Sequence, residues 1–270
     1  NDYIYPQWAD FTFFGGIYRN VNLIVTNKVH FDLDYYGGPG VAVTPTVNGT
    51  NADVHVDAYV NEKENVELNV ELLDGAKKVV KTFKTSELSF DFAIENVHLW
   101  DGIEDPYLYT LRLSLLKDGN VVDNKEVRFG VRTFSIDPDK GFFLNGRSYP
   151  LRGVSRHQDR YNMGWAITRK EHEEDMALIK EVGANTIRLA HYQHDQYFYD
   201  LCDENGMVVW AEIPFISVHL PKGRKNTVEQ MKELVMQNYN HPSIFVWGLS
   251  NEITIGGEND ELLDNHRELN

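Results

Sequence analysis

Apolar and polar residues alternate along the first half of the chain and recur at helical spacing along much of the second. Residues 53–60 and 66–72 alternate strictly, which gives each strand one face for a core and one for water. Residues 108–115 and 121–129 extend this pattern, and Asp74-Gly75 and Asp118-Gly119 supply turn residues between strands. The span 34–133 therefore predicts a β-sandwich of the immunoglobulin-like kind. Residues 141–147 read as a strand, an Asn145-Gly146 turn and a second strand, at the entry to a different unit. Near the start, the aromatic alternation of 9–21 around Gly15-Gly16 predicts two strands joined by a tight turn.

Beyond residue 148 strands alternate with helices. The first strand is expected over 149–154. Thr168 with Glu171 three residues on forms a capping box, Met176, Ile179 and Val182 share a helical face, and Gly183 stands where the helix should end. A second strand is expected over 184–190, a helix over 195–205 stopped by Gly206, a third strand over 207–212 and a further helix over 227–239. Pro242 closes that last pattern, and 244–247 is a continuous apolar run suited to a strand covered on both faces. Four strand–helix repeats make the first half of a (β/α)8 TIM barrel, so the fold class is mixed β and α/β.

Composition narrows the functions available. The 41 acidic against 26 basic side chains give a net charge of −15, which excludes a phosphate-backbone partner such as nucleic acid. No run is long enough to cross a bilayer and no signal peptide opens the chain, so no membrane partner is expected. The cytoplasm is the expected compartment, subject to a leader removed with a missing N-terminus, since both ends read as cut. Cys202 is the single cysteine, so no intrachain disulfide forms, and its helical setting marks it as a small buried hydrophobe.

Polar residues fall at the ends of all four expected barrel strands: Arg156 and His157, then Arg188 and His191, then Glu212, then Asn251 and Glu252. Parallel barrel strands deliver their last side chains to one rim, so these groups should converge. Singly, each has an equally ready structural reading: Arg188 as the neutraliser of a buried carboxylate, either histidine as a satisfied core residue. A glutamate fixed at that rim in a dry pocket would keep its proton and serve as a general acid.

The stretch Asn240-His241-Pro242-Ser243-Ile244-Phe245-Val246-Trp247-Gly248-Leu249-Ser250-Asn251-Glu252 resembles the acid/base strand of glycoside hydrolase family 2, the β-galactosidase and β-glucuronidase group. Leu151 to His157 and Asn185 to Tyr192 are similar to that family's first two barrel strands. Leu99-Trp100 with Asp105-Pro106-Tyr107-Leu108-Tyr109 resembles its sandwich motif, and the segment around Gly15-Gly16 the closing strands of its jelly-roll domain. The resemblance implies a jelly-roll remnant over 1–33, a sandwich over 34–133 and the N-terminal half of a catalytic barrel over 134–270. It implies that Glu252 is the general acid/base, that Asn251 bonds the sugar 2-hydroxyl and that Arg188 orients catalytic carboxylates. His157 and His191 would contact the cleaved sugar, with Glu212 also on the substrate-binding side.

The implied activity is retaining hydrolysis of terminal β-galactosides. β-Glucuronides or β-mannosides are the alternatives within the family, and a non-catalytic carbohydrate-binding module is the reading from another class. A retaining glycosidase needs a second carboxylate about 5–5.5 Å from the first, and the family's nucleophile ends a later strand. Glu258 and Glu261 lie too near Glu252 in sequence to replace it, so this chain alone is expected to be inactive. Ser155 stands where many members have asparagine, and Ala211-Glu212 where Asp-Glu is usual. No glutamate near Ile216 matches the one that helps hold magnesium in some β-galactosidases, so no metal or other cofactor is carried over, magnesium remaining open only for the parent protein. The open edges of a half-barrel point to a homo-oligomer.

Overall fold

The structure, a computed structural model, describes residues 1–270. Seven strands build the sandwich: β1 Val41–Asn48, β2 Asn51–Ala58, β3 Val66–Leu73, β4 Val79–Thr85, β5 Ser89–Ile94, β6 Tyr109–Lys117 and β7 Asn120–Phe129. They pair antiparallel as two sheets, β1-β2-β5 and β4-β3-β6-β7. The period-two pattern sets the register. Leu68, Val70 and Leu72 of β3 stand opposite Leu115, Leu113 and Leu111 of β6, so their branched side chains enter the core together. All six are essentially without solvent contact. Asp118 and Gly119 both adopt positive φ, +50° and +78°, as the tight hairpin between β6 and β7 requires.

A small antiparallel sheet follows, of β8 Phe134–Asp137, β9 Gly141–Leu144 and β10 Arg147–Ser148. Then come β11 Gly153–Arg156, α1 Arg169–Glu181, β12 Thr186–Leu189, α2 Gln196–Asn205, β13 Val208–Glu212, α3 Arg224–Gln237, β14 Ile244–Gly248 and α4 Asp260–Leu269. Strands β11 to β14 lie parallel and in chain order, the arrangement of half a (β/α)8 barrel. Glu171 Oε2 accepts from the Thr168 backbone N–H (2.7 Å) and hydroxyl (2.6 Å) at the start of α1. Gly206 ends α2 at φ +70° and packs so closely that a Cβ there would lie 2.0 Å from the Gly102 carbonyl oxygen.

Two expectations are corrected. The first barrel strand begins at Gly153 rather than at 149, because Tyr149 is taken by the preceding hairpin: its N–H donates to the Phe142 carbonyl, and Pro150 has no N–H to offer a ladder. The strands expected around Gly15-Gly16 do not form. No strand occurs before the isolated bridge of Phe31 with Val60. A strand needs a neighbour for its alternating amides, and residues 11–25 find none in this chain. Single side chains anchor the segment instead. Tyr5 packs edge-on against Phe215 at 5.0 Å, donates its hydroxyl to the Val218 carbonyl and its N–H to Asn226.

Sandwich and half-barrel share a packed seam. Trp100 is buried and donates its indole N–H to the Asp203 carbonyl at 3.0 Å. Arg128 of β7 pairs with Asp200 at 2.6 Å and with Glu204, both on α2. Arg132 donates to the carbonyls of Pro242 and Ile244. Asp200, Asp203 and His241 cluster here, but each already has a partner: His241 Nδ1–H donates to Asp203 at 2.6 Å and Arg128 neutralises Asp200. Cys202 is fully buried within α2. No helix is long and apolar enough to cross a membrane.

Candidate active site

Three strand ends meet around one buried carboxylate. Glu212, the last residue of β13, is fully buried and accepts two parallel hydrogen bonds from Arg188 of β12, each 3.0 Å long. His191, just past β12, donates Nδ1–H to the same carboxylate at 2.5 Å. Arg188 Nη2 also donates to Asn251 Oδ1 at 2.8 Å. Asn251 is fixed through its backbone as well, its N–H bonding the Phe215 carbonyl and its carbonyl accepting from Ser217 N–H. The expected convergence of Arg188, His191, Glu212 and Asn251 is therefore what the structure shows. The neutralising role for Arg188 is also present, since its partner Glu212 is the buried carboxylate.

Gly248 makes room for this cluster. A Cβ there would fall 2.3 Å from Trp210 Nε1 and 2.7 Å from Glu212 Cβ. Gly248→Ala is therefore expected to destabilise the chain by about 1–3 kcal/mol, the usual cost of overpacking. Guanidinium denaturation of the purified chain reads this directly, and an unchanged midpoint would contradict the tight fit.

His157 lies beside His191, ring centroids 5.2 Å apart, with its Nδ1 3.3 Å from the Tyr192 hydroxyl. Burial and then the neighbouring His191 hold its pKa below the ordinary histidine value. Phe11 packs beside both imidazoles, its ring centroid 4.9 Å from that of His157 and 6.0 Å from that of His191. Neither Phe11 nor Tyr192 was singled out from the sequence as a site residue. The aromatic density of 11–18 is the one sequence signal for Phe11, and on alternation alone it indicates strand propensity.

Glu252 is corrected in one respect. It follows Asn251 directly, but its side chain is exposed and makes no hydrogen bond or ion pair, so the dry pocket expected around it is not formed by these residues. The chain turns at Glu252 with φ +50°, a left-handed conformation that non-glycine residues adopt at a cost of roughly 1–2 kcal/mol and that concentrates at functional sites. Glu258 lies in the exposed loop before α4, and Glu261 is exposed on the first turn of that helix.

Arg156 is the second correction. It points away from the rim, buried between the sheet and the helices, where Asp175 receives its Nε (2.9 Å) and Nη2 (2.7 Å). Nη2 also donates to His172 Nδ1 at 3.0 Å. Burial and the Arg156 charge push the His172 pKa down to about 4. A base whose folded pKa lies below its unfolded one stabilises fully above the unfolded value and loses that contribution as pH falls towards the folded one. Stability should therefore drop between about pH 6.5 and 4, by up to about 3 kcal/mol from this residue. His241 opposes the trend: although burial disfavours its charge, Asp203 lifts its pKa. Urea titrations at stepped pH should show the loss in the parent and a flatter profile in His172→Gln; equal slopes would exclude His172 as the source.

Residues 39–132 match the family model described as glycosyl hydrolases family 2, and residues 136–270 match the family 2 TIM barrel domain. The β-glucuronidase of Bacteroides fragilis is 42% identical over 277 aligned residues, covering 95% of this chain and 40% of that protein. A β-galactosidase of Thermoanaerobacterium thermosulfurigenes is 32% identical, covering 89% of this chain and 34% of its own length. Among solved structures, a protein described as an FMN-binding β-glucuronidase from Faecalibacterium prausnitzii L2-6 superposes with a TM-score of 0.96 at 46% identity, over 100% of this chain and 43% of that one. The chain thus spans between about a third and two-fifths of the length of these relatives.

Proposed function

Because the chain belongs to glycosyl hydrolase family 2, we propose that the whole protein is a retaining β-glycosidase with Glu252 as its acid/base and a β-glucuronide as its substrate. The observation that carries the reading is the Arg188–Glu212–His191–Asn251 cluster at the tips of β12, β13 and β14, with Glu252 the next residue in the chain. Asn251 commits its oxygen to Arg188, which leaves its amide N–H groups to donate to the sugar 2-hydroxyl. Glu252 hands its proton to the leaving oxygen as the glycosidic bond breaks, then takes a proton from the water that releases the glycosyl-enzyme. Glu212 is fully occupied by Arg188 and His191, so the proposed nucleophile is a carboxylate from elsewhere in the whole protein.

The glucuronide reading displaces the β-galactoside expected from sequence, supported by the higher identity of the relatives named β-glucuronidase. The galactoside stays as the second reading on the strength of the Thermoanaerobacterium relative. The test is a panel of 4-nitrophenyl β-D-glucuronide, galactoside and mannoside on the whole protein. The glucuronide is expected to lead in kcat/KM by at least about tenfold, a low threshold against the roughly 10⁴-fold that a site hydrogen-bonding a polar group can reach. A leading galactoside would replace the substrate but keep the chemistry; hydrolysis of none would remove both.

A further inference from the structure

The imidazole of His194 has both nitrogens committed. Arg156 Nη1 lies 3.1 Å from Nδ1, and because a guanidinium only donates, Nδ1 must be the acceptor and Nε2 must carry the proton. Nε2–H then donates to the Ala190 carbonyl at 3.0 Å. The Ala190 N–H, in turn, donates to the backbone carbonyl of Arg156 at 3.0 Å. Both polar groups of Ala190 are thus fixed by the last residue of β11, one directly and one through His194. The next residue is His191, whose ring reaches Glu212.

Arg156 is itself held rigidly. Besides its bonds to Asp175 and His172, its guanidinium carbon sits 3.8 Å from the centre of the Phe198 ring. Arg156 and His194 are 6% and 1% exposed, and the side-chain hydrogen bonds of both go to residues other than Arg188, Glu212 and Asn251. Through Asp175 the arrangement is anchored to α1.

We propose that Arg156 and His194 are positioning residues for His191, a buried brace that fixes the backbone entering His191 and so aims its imidazole at Glu212. The proposal rests on the reading of His191 as a sugar-site residue. Burial and the Arg156 charge also hold the His194 pKa well below its ordinary value, so the brace keeps one protonation state through the neutral range. A merely structural role would lower thermal stability and leave the His191 ring undisturbed.

Two variants separate these outcomes. His194→Phe removes both hydrogen bonds, whereas His194→Gln supplies one acceptor for Arg156 and one donor for Ala190. Ring ¹⁵N shifts of His191 can be read by NMR in this chain without any turnover, and kcat and KM in the whole protein. His194→Phe is expected to shift the His191 ring signals and to lower kcat by about 10–100-fold with KM changed by less than about twofold, the scale for loss of an outer positioning contact. His194→Gln should restore most of both. A folded His194→Phe protein with unchanged His191 signals and unchanged kcat overturns the brace. Should His194→Phe fail to fold, Arg156→Lys tests the same point, since it keeps the charge and loses the fork; an unmoved His191 ring there also overturns it. A shifted ring with unchanged kcat keeps the brace and instead removes His191 from the sugar site.

Discussion

Glu252→Gln in the whole protein is expected to lower kcat by about 10²–10⁴-fold on glycosides with sugar or alkyl leaving groups, the range that a positioned general acid contributes. Glutamine keeps the size of the side chain and cannot supply the proton. The loss should be far smaller for bond cleavage in a 4-nitrophenyl glycoside, because nitrophenolate departs without protonation. That contrast is the signature of a lost acid rather than of a damaged fold. Glu252 is exposed in this chain, so the substitution is expected to leave this chain's denaturation midpoint unchanged, and thermal unfolding of the whole-protein variant separates lost chemistry from a damaged fold. A glutamine variant within about twofold of the parent on an unactivated glycoside would strip Glu252 of the acid role.

Glu212→Leu carries the largest expected effect on stability. Removing one partner of a buried pair costs about 3–5 kcal/mol, and Arg188 keeps a third of its side chain in water, which places this case at the lower end. Arg188, His191 and Asn251 would lose their common reference point together. Equilibrium denaturation of the 270-residue chain measures the loss, with an unchanged slope against denaturant showing that only stability moved. A cost below about 1 kcal/mol would mean that the carboxylate is dispensable to the fold.

The barrel strands and helices were legible because each carries its own period and its own stop. Thr168 and Glu171, Gly183, Gly206 and Pro242 mark boundaries chemically, and the structure keeps those boundaries to within a few residues. The site was legible in part for the same reason: Arg188 and Glu212 lie near the ends of β12 and β13, and Asn251 just past β14, in strands whose direction is fixed by topology. Arg156 leaves the rim because strand parity turns it to the opposite face from Ser155. Ser155 pairs in register with Arg188 and Arg156 with Leu189, so Arg156 shares the helix-facing side with a fully buried leucine. The first 30 residues form no strand because alternation signals only a capacity to pair, and pairing needs a second strand that periodicity cannot supply. The contact of Phe11 with His157 and His191 spans 146 and 180 positions and has no local trace, as 157 − 11 and 191 − 11 make plain.

The seam at Trp100 alters what the word domain means here. With its indole tethered to Asp203 and Gly130 leaving no room between Trp100 and Pro242, the boundary drawn in sequence is a change of topology and not a plane of weakness. The sandwich and the strands that lead to Arg188 and Asn251 are therefore expected to melt in one transition, which calorimetry of the chain would check. A defect sown far away in the β-rich half will therefore surface as a fault in the rim.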